Sequence, residues 1–370
     1  YGPTAGYLTG VLSSLLAFVG AMAFIAMLIG IYVQTFVPSA PPPLVACIAV
    51  TVFSAIHCAG LREGTWVNNA FTVFKVLVII AFIVAGLSAD GRPVQIQINE
   101  APVFTTVFAA AMVSASFAYL GWETTTFIGG EVKNPGRVLP WSLVIGTTIV
   151  IILYLLINLV YLHAQAPSDM FVLGEDGQKT GIRVIGPYVS EKLFGENMGR
   201  WFNSMVIVVA LSTVSTITMV GGRVLYAMAK AGQLPSTVAK LNKNDVPANA
   251  LLIQGTITVI FILAANNLGT LGDVLDYIGL PLTIIMGATV AGVFILRHRE
   301  PSTNRPFRVP LYPLPPILFI ALALWMTISV PMENWKVAIA STLTVLVIWV
   351  LKPLLAKGET SSTSSESENQ

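Results

Sequence analysis

Long stretches without charged side chains alternate with short polar segments along this chain. Because a membrane-crossing helix takes about 20 consecutive apolar residues, ten of these stretches are predicted to cross a bilayer. They are residues 7–37, 43–59, 66–88, 103–128, 142–163, 201–221, 249–266, 274–296, 314–331 and 335–356. The pattern predicts an all-α polytopic membrane protein with one transmembrane domain over residues 1–356. Residues 357–370, rich in serine and glutamate, are predicted to be a disordered tail.

The composition excludes a water-soluble enzyme and argues against a nucleic-acid partner. Hydrophobic residues make up 55% of the 370 positions and charged residues only 10%, whereas soluble proteins average about 25% charged residues. A net charge of +2 is too small to indicate nucleic-acid binding. Cys47 and Cys58 are interpreted as apolar fillers, and His57, His163 and His298 lack the spacing of a metal site. No metal or other cofactor is predicted.

Lysine and arginine accumulate on one side of the predicted helices. Thirteen of them fall on that side, against two in short connections on the other, and cytoplasmic loops retain positive charge. We therefore expect both ends of the chain in the cytoplasm and the protein in the plasma, or inner, membrane. The long outer connection, residues 164–200, contains an amphipathic stretch from Tyr188 to Phe194 and is interpreted as a cap over an outward-facing cavity.

Lys75 is a charged residue near the middle of the third apolar stretch. An ammonium at that depth costs about 2.5 to 3.5 kcal/mol, so the side chain must face a polar interior. It either joins two helices through fixed hydrogen bonds, or exchanges a proton or stands in place of a coupling cation. The midplane position favours a functional role.

The fourth stretch contains a glycine between large aromatic residues, followed by a carboxylate, in the order Phe117-Ala118-Tyr119-Leu120-Gly121-Trp122-Glu123. This favours a helix that breaks within the membrane over a continuous helix with an aromatic stripe. A break frees backbone carbonyls, whose partial negative charge suits a substrate ammonium. Glu123 could bind an amine, carry a proton or accept hydrogen bonds from the threonines that follow it.

Hydroxyl side chains are concentrated in the sixth stretch. They are Ser212, Thr213, Ser215, Thr216 and Thr218. Positions three or four apart share a helix face and could line an ion or ammonium site, although serine and threonine also bond their own helix backbone. The cluster alone favours the second interpretation.

These motifs resemble the amino acid, polyamine and organocation permeases, a family with twelve helices and inverted repeats. The most specific match joins Phe117–Glu123 to Glu131–Arg137 and is similar to the family's broken sixth helix and the loop after it. Further matches at 1–7, 60–75, 223–235 and 305–310 extend the resemblance over essentially the whole chain. The implied fold is LeuT-like, with five-plus-five inverted repeats and two further helices, of which ten spans are present here.

The resemblance also implies roles for particular residues. Phe117, Ala118 and Tyr119 would offer carbonyls to a substrate amino group beside Gly121 and Glu123, and Trp122 would form part of a gate. Lys75 would place its amine where sodium-dependent relatives bind sodium. The residues expected to border that position are Ser212, Thr213 and Thr216.

In this alignment the first apolar stretch corresponds to the family's third helix. Two helices, roughly 80 residues, are therefore expected upstream of Tyr1. A complete five-plus-five core is the rival alignment. We reject it because the break would then belong in the sixth stretch, whereas the Phe117–Trp122 motif lies in the fourth.

The resemblance implies a secondary transporter that moves an amino acid or related amine by alternating access. Its partners would be the substrate, protons and the lipid bilayer, without sodium and with proton coupling or exchange. Alternatives are an amino-acid exporter or polyamine antiporter of the same fold. A non-transporting membrane sensor or enzyme is disfavoured, because the sequence lacks paired acids, histidine-rich spacing and an ordered soluble domain. No enzymatic activity is expected.

Overall fold

The computed structural model describes residues 1–60, 64–94, 105–119, 121–122, 132–173, 179–181, 185–265, 271–303, 305 and 307–355. Within these residues, one helix corresponds to each of the ten predicted stretches. They are α1 Pro3–Gln34, α2 Pro42–Cys58, α3 Gly64–Ser88, α4 Thr106–Ala118, α5 Pro135–Ala164, α6 Ile185–Lys230, α7 Ala248–Ala265, α8 Leu271–Arg299, α9 Leu314–Glu333 and α10 Trp335–Leu355. The predicted tail lies outside the described residues.

Eight of the described helices are long and apolar enough to cross a membrane. The two shorter ones are α2, with 17 residues, and α4, with 13. This architecture confirms the predicted polytopic, helical fold class. The centre of α1, Ser13–Gly20, is a π-helix, a local register that the hydropathy pattern does not reveal.

Two helices extend well beyond the apolar stretches that predicted them. The α5 helix begins at Pro135 rather than at residue 142, since a proline in the first turn needs no hydrogen bond for its missing N–H. The α6 helix begins at Ile185 and includes the amphipathic stretch predicted in the outer connection. Gly195, with φ 77° and ψ 169°, separates that stretch from the membrane-crossing part of α6.

The outer connection also contains a small antiparallel hairpin, a departure from a purely helical chain. Strand β1, Phe171–Leu173, pairs with β2, Lys179–Gly181. The short turn of 3₁₀-helix Pro167–Asp169 precedes it. Residues 174–178, between the two strands, lie outside the described residues.

Four helices, α1, α2, α6 and α7, pack around a shared cluster of buried side chains, and we call them the four-helix core. Met22, Val50, Val214 and Ile262 contribute one fully buried side chain from each of these helices. Small residues let the helices approach closely. A Cβ added at Gly30 would lie 2.7 Å from the Cα of Pro42, so α1 and the start of α2 pack with backbone against backbone.

The other helices pack against this core and against one another through further buried clusters, one of which joins α8 and α10 to α1, α6 and α7. The α4 helix packs against α8 and α9 through a small cluster containing Val113, Leu280 and Met326. The α5 helix packs against α3, where the rings of Phe82 and Tyr161 meet edge to face at 6.3 Å.

Contacts between helix ends show which connections share a side of the bundle. Lys352 Nζ, near the end of α10, donates to Thr4 Oγ1 at the start of α1 over 2.8 Å. Just after the end of α3, the Arg92 N–H donates to the carbonyl of His163 near the end of α5. The start of α1 thus lies beside the end of α10, and the end of α3 beside the end of α5.

Candidate functional site

The α4 helix ends at Ala118, inside the apolar stretch that it begins. Its 13 residues span about 20 Å, whereas the hydrocarbon layer is about 30 Å thick. The Tyr119 N–H donates to the carbonyl of Ser116 over 3.1 Å, which tightens the last turn. Gly121 then takes φ 114°, a conformation that favours glycine. The helix thus ends where the sequence predicts a break, and residues 123–131, in the rest of the fourth stretch and just after it, lie outside the described residues.

A tyrosine of α5 holds the end of α4. The Tyr154 hydroxyl donates to the carbonyl of Ala118 over 2.8 Å. The rings of Tyr154 and Tyr119 meet edge to face, with centroids 5.1 Å apart and an interplanar angle of 73°. Because a carbonyl oxygen accepts two hydrogen bonds, Ala118 has capacity for a second donor.

Two aromatic side chains around this helix end are accessible. Tyr119 is 37% exposed and Trp122 is 43% exposed, so both rings can contact a ligand. Phe117 lies in the last turn of α4, where carbonyls lack partners within the helix. Glu123 lies outside the described residues.

Lys75 joins α3 to α6 through the hydroxyl of Thr213. Its Nζ lies 3.0 Å from Thr213 Oγ1, and that hydroxyl donates its own proton to the carbonyl of Val209 over 3.0 Å. The Thr213 oxygen must therefore accept from the Lys75 amine. The structure brings these two predicted site residues together.

The other hydroxyls of α6 are engaged in different ways. Thr216 donates to the carbonyl of Ser212 in its own helix over 3.0 Å, and Ser212 is buried. Ser215 Oγ lies 3.0 Å from His57 Nε2 of α2. The cluster therefore combines bonds to its own backbone, as the simpler interpretation expects, with side-chain links to α2 and α3.

The site residues fall into two groups, each with its own contacts. Lys75 and Thr213 form one, and Ala118, Tyr119 and Tyr154 form the other. The helices that carry them adjoin, since α5 packs along α3. The described hydrogen bonds of Lys75 do not extend to the end of α4.

Sequence reasoning missed Tyr154. It lies within the uncharged run Ile149–Leu156. These apolar neighbours give no indication that its hydroxyl is hydrogen-bonded. The available signal was the residue type, because a tyrosine hydroxyl in an apolar layer needs a hydrogen-bond partner. The identity of that partner depends on tertiary structure.

Comparison with known proteins places the chain in a family. The sequence profile described as "Amino acid permease" matches residues 1–351. The chain belongs to the amino acid permease family. As a permease with eight helices able to cross a bilayer, it is an integral membrane protein, and the predicted family resemblance is confirmed.

Three relatives of this permease illustrate the match. The b(0,+)-type amino acid transporter 1 of Mus musculus is 26% identical, with 89% of this chain and 66% of the relative covered. The serine/threonine exchanger SteT of Bacillus subtilis is 30% identical, with coverage of 75% and 61%. The human large neutral amino acids transporter small subunit 2 is 28% identical, with coverage of 88% and 61%. The chain thus spans between 61% and 66% of the length of these relatives.

Proposed function

We propose that this permease moves an amino acid or a related amine across the membrane by alternating access. The observation that carries the proposal is the end of α4 at Ala118, within the fourth apolar stretch, where the last carbonyls of the helix have no partners within it. Three relatives named as amino acid transporters or exchangers support the substrate class.

In this proposal the substrate ammonium binds at the C-terminal end of α4. An ammonium has three donors, and the carbonyls of Phe117, Ala118 and Tyr119 are the acceptors nearest the partial negative charge of the helix end. Tyr119 and Trp122 pack over the apolar part of the substrate. Glu123 remains a proposed site residue on the family resemblance.

Lys75 and Thr213 form the proposed coupling site, bordered by Ser212 and Thr216. The Lys75 amine stands in place of a coupling cation and, through its protonation, biases the exchange between conformations. Exchange of one amino acid for another is a second candidate for the driving force, because one relative is named as a serine/threonine exchanger. We also propose that the protein lies in the plasma membrane with both ends of this chain in the cytoplasm.

A counterflow measurement tests the substrate class. Full-length protein is reconstituted in liposomes loaded with unlabelled amino acids, and entry of a panel of labelled amino acids is followed. We expect accumulation of at least one free amino acid and no accumulation of its N-acetyl derivative, which lacks the ammonium. Equal accumulation of both compounds, or of neither across the whole panel, would contradict the proposal.

Replacement of Lys75 by methionine tests the coupling role. The variant keeps the length of the side chain and removes the amine that bonds Thr213, so we expect uptake to lose its dependence on pH and to fall about tenfold or more. Lys336→Met removes an exposed lysine at the start of α10 and serves as the control. An unchanged pH dependence in Lys75→Met, with folded protein, would reject proton coupling through this residue while leaving substrate binding at α4 intact.

A further inference from the structure

A cavity of about 520 Å³ lies at the start of α5. The first turns of α5 form most of its wall, and the connection between α8 and α9 contributes one aromatic side chain. The residues around it include Asn134, Gly136, Arg137, Pro140, Trp141 and Phe307. Along α5, Arg137 and Tyr154 are separated by 17 positions, or about 25 Å. The cavity is therefore distinct from the proposed amine site.

The two chain segments that line the cavity carry only positive charge. Lys133, Arg137, Arg305 and Arg308 occur in residues 132–141 and 305–313, which contain no aspartate or glutamate. The Arg305 guanidinium is engaged with carbonyls at the end of α8. Within the described part of the chain, the exposed Arg137 side chain has neither an ion pair nor a hydrogen bond, so its guanidinium is available to a ligand.

The cavity lies at the depth where lipid headgroups meet the protein. Because α5 is one of the helices able to cross a membrane, its first turns lie at a membrane surface. Trp141, one turn after Arg137 on the same face, is 61% exposed, and tryptophan side chains favour the interface between headgroups and hydrocarbon. The cavity thus combines a cation at the polar end with aromatic and proline walls beside the apolar layer.

We propose that this cavity binds the phosphate-bearing headgroup of an anionic phospholipid. The planar guanidinium of Arg137 pairs with two phosphate oxygens, and Trp141 and Phe307 pack against the glycerol and the first acyl carbons. A volume of about 520 Å³ falls within the range of about 300 to 1,000 Å³ for small-ligand sites. A membrane lipid fits better than a free phosphate ion, since the apolar walls contribute only if the ligand carries an apolar part.

Lipid binding to the purified full-length protein tests the proposal independently of transport. Delipidated protein in detergent is mixed with phosphatidylglycerol or with phosphatidylcholine, and bound lipid is counted by native mass spectrometry alongside the thermal unfolding midpoint. We expect phosphatidylglycerol to be retained and to raise the midpoint. Arg137→Gln should reduce the retention of phosphatidylglycerol about tenfold or more. Lys133→Gln, which removes a nearby charge outside the cavity wall, should leave the retention of phosphatidylglycerol unchanged.

Three other outcomes of this experiment would overturn parts of the lipid-binding proposal. Equal loss of retention in Arg137→Gln and Lys133→Gln would point to general surface charge and overturn the cavity assignment. Equal retention of phosphatidylcholine, or displacement of phosphatidylglycerol by millimolar inorganic phosphate, would overturn the anionic-lipid assignment. If Arg137→Gln does not fold, Trp141→Ala serves in its place, because this exposed side chain is replaced without opening the core, and unchanged retention in that variant would contradict the proposal.

Discussion

The α1 and α5 helices are about equally apolar, but α1 is far more buried inside the protein than α5. Their most apolar 18-residue windows have mean hydropathies of 2.5 and 2.6, yet 61% of the α1 window is buried inside the protein and only 6% of the α5 window. Hydropathy therefore predicts that each helix enters a membrane, and it does not distinguish a helix of the four-helix core from one outside it.

Glycine placement accounts for much of this difference. In α1, Gly20 faces the side chain of Ile278 and Gly30 faces the backbone of Pro42, so neighbouring helices approach closely. In the first half of α5, a Cβ added at Gly146 would meet no described atom within 4 Å, and close packing begins only farther along the helix, where Val160 contacts Gly86 of α3. The described polar contacts of α5 to its neighbours include Tyr154 to Ala118 and His163 to Ala89. The α5 helix is therefore held to its neighbours partly by directional hydrogen bonds, in contrast to the close packing of α1.

The largest effect is expected from Gly30→Ala in the four-helix core. The added Cβ would overlap backbone atoms of Pro42, which cannot rotate away as a side chain can. We expect the free energy of unfolding to fall by about 3 kcal/mol, at the upper end of overpacking effects. The measurement is denaturation of the full-length protein in detergent.

Gly6→Ala is the matched control for this change. Gly6 lies in the same helix, and a Cβ there would meet no described atom within 4 Å. This variant should be as stable as the original or slightly more so, since alanine favours helix. If Gly30→Ala and Gly6→Ala unfold alike, close packing does not distinguish the core from the α4–α5 pair.

An intermediate effect is expected from Gly121→Ala at the end of α4. Here a Cβ would meet no described atom within 4 Å, but the residue has φ 114°. The cost is therefore backbone strain alone, about 2 kcal/mol. It should appear as weaker binding of the amine in a ligand-stabilisation assay, because the strain acts on the turn next to the proposed carbonyl acceptors. Full amine affinity in Gly121→Ala would show that the turn does not shape the site.

The sequence predicted the helices well and their ends less well. Charged residues such as Lys230 and Glu191 lie in helix beyond the apolar layer, where hydropathy loses its signal although the helical backbone continues. The sequence predicted that Gly195 lies in the outer connection, whereas in the structure this residue interrupts α6 between two helical parts. The π-helical centre of α1 was not predictable, because its hydrogen-bond register depends on packing against other helices.

The candidate site was predictable where it depends on local chemistry. The end of α4 follows from a glycine among aromatic residues, and a polar partner for Lys75 follows from the cost of a buried amine. The choice of Thr213 among five neighbouring hydroxyls, and of Tyr154 as donor to Ala118, required the arrangement of α3, α5 and α6. Such contacts join residues 36 to 138 positions apart, which no local pattern specifies.

The smallest effect is expected from Tyr154→Phe, which removes the hydroxyl bond between α5 and α4 and leaves the ring contact with Tyr119. The loss of one neutral hydrogen bond should lower the free energy of unfolding by about 1 kcal/mol. Tyr188→Phe, at an exposed tyrosine in the first part of α6, should change nothing.

The loss of stability in Tyr154→Phe should become smaller when a saturating amino acid is present, because in the proposed site the substrate ammonium would supply another donor to the carbonyl of Ala118. A deficit that persists unchanged with bound substrate would place the ammonium elsewhere. A loss of stability as large as that of Gly30→Ala would mean that α5 holds α4 as firmly as the helices of the core hold one another, and the contrast in packing between α1 and α5 would not extend to the end of α4.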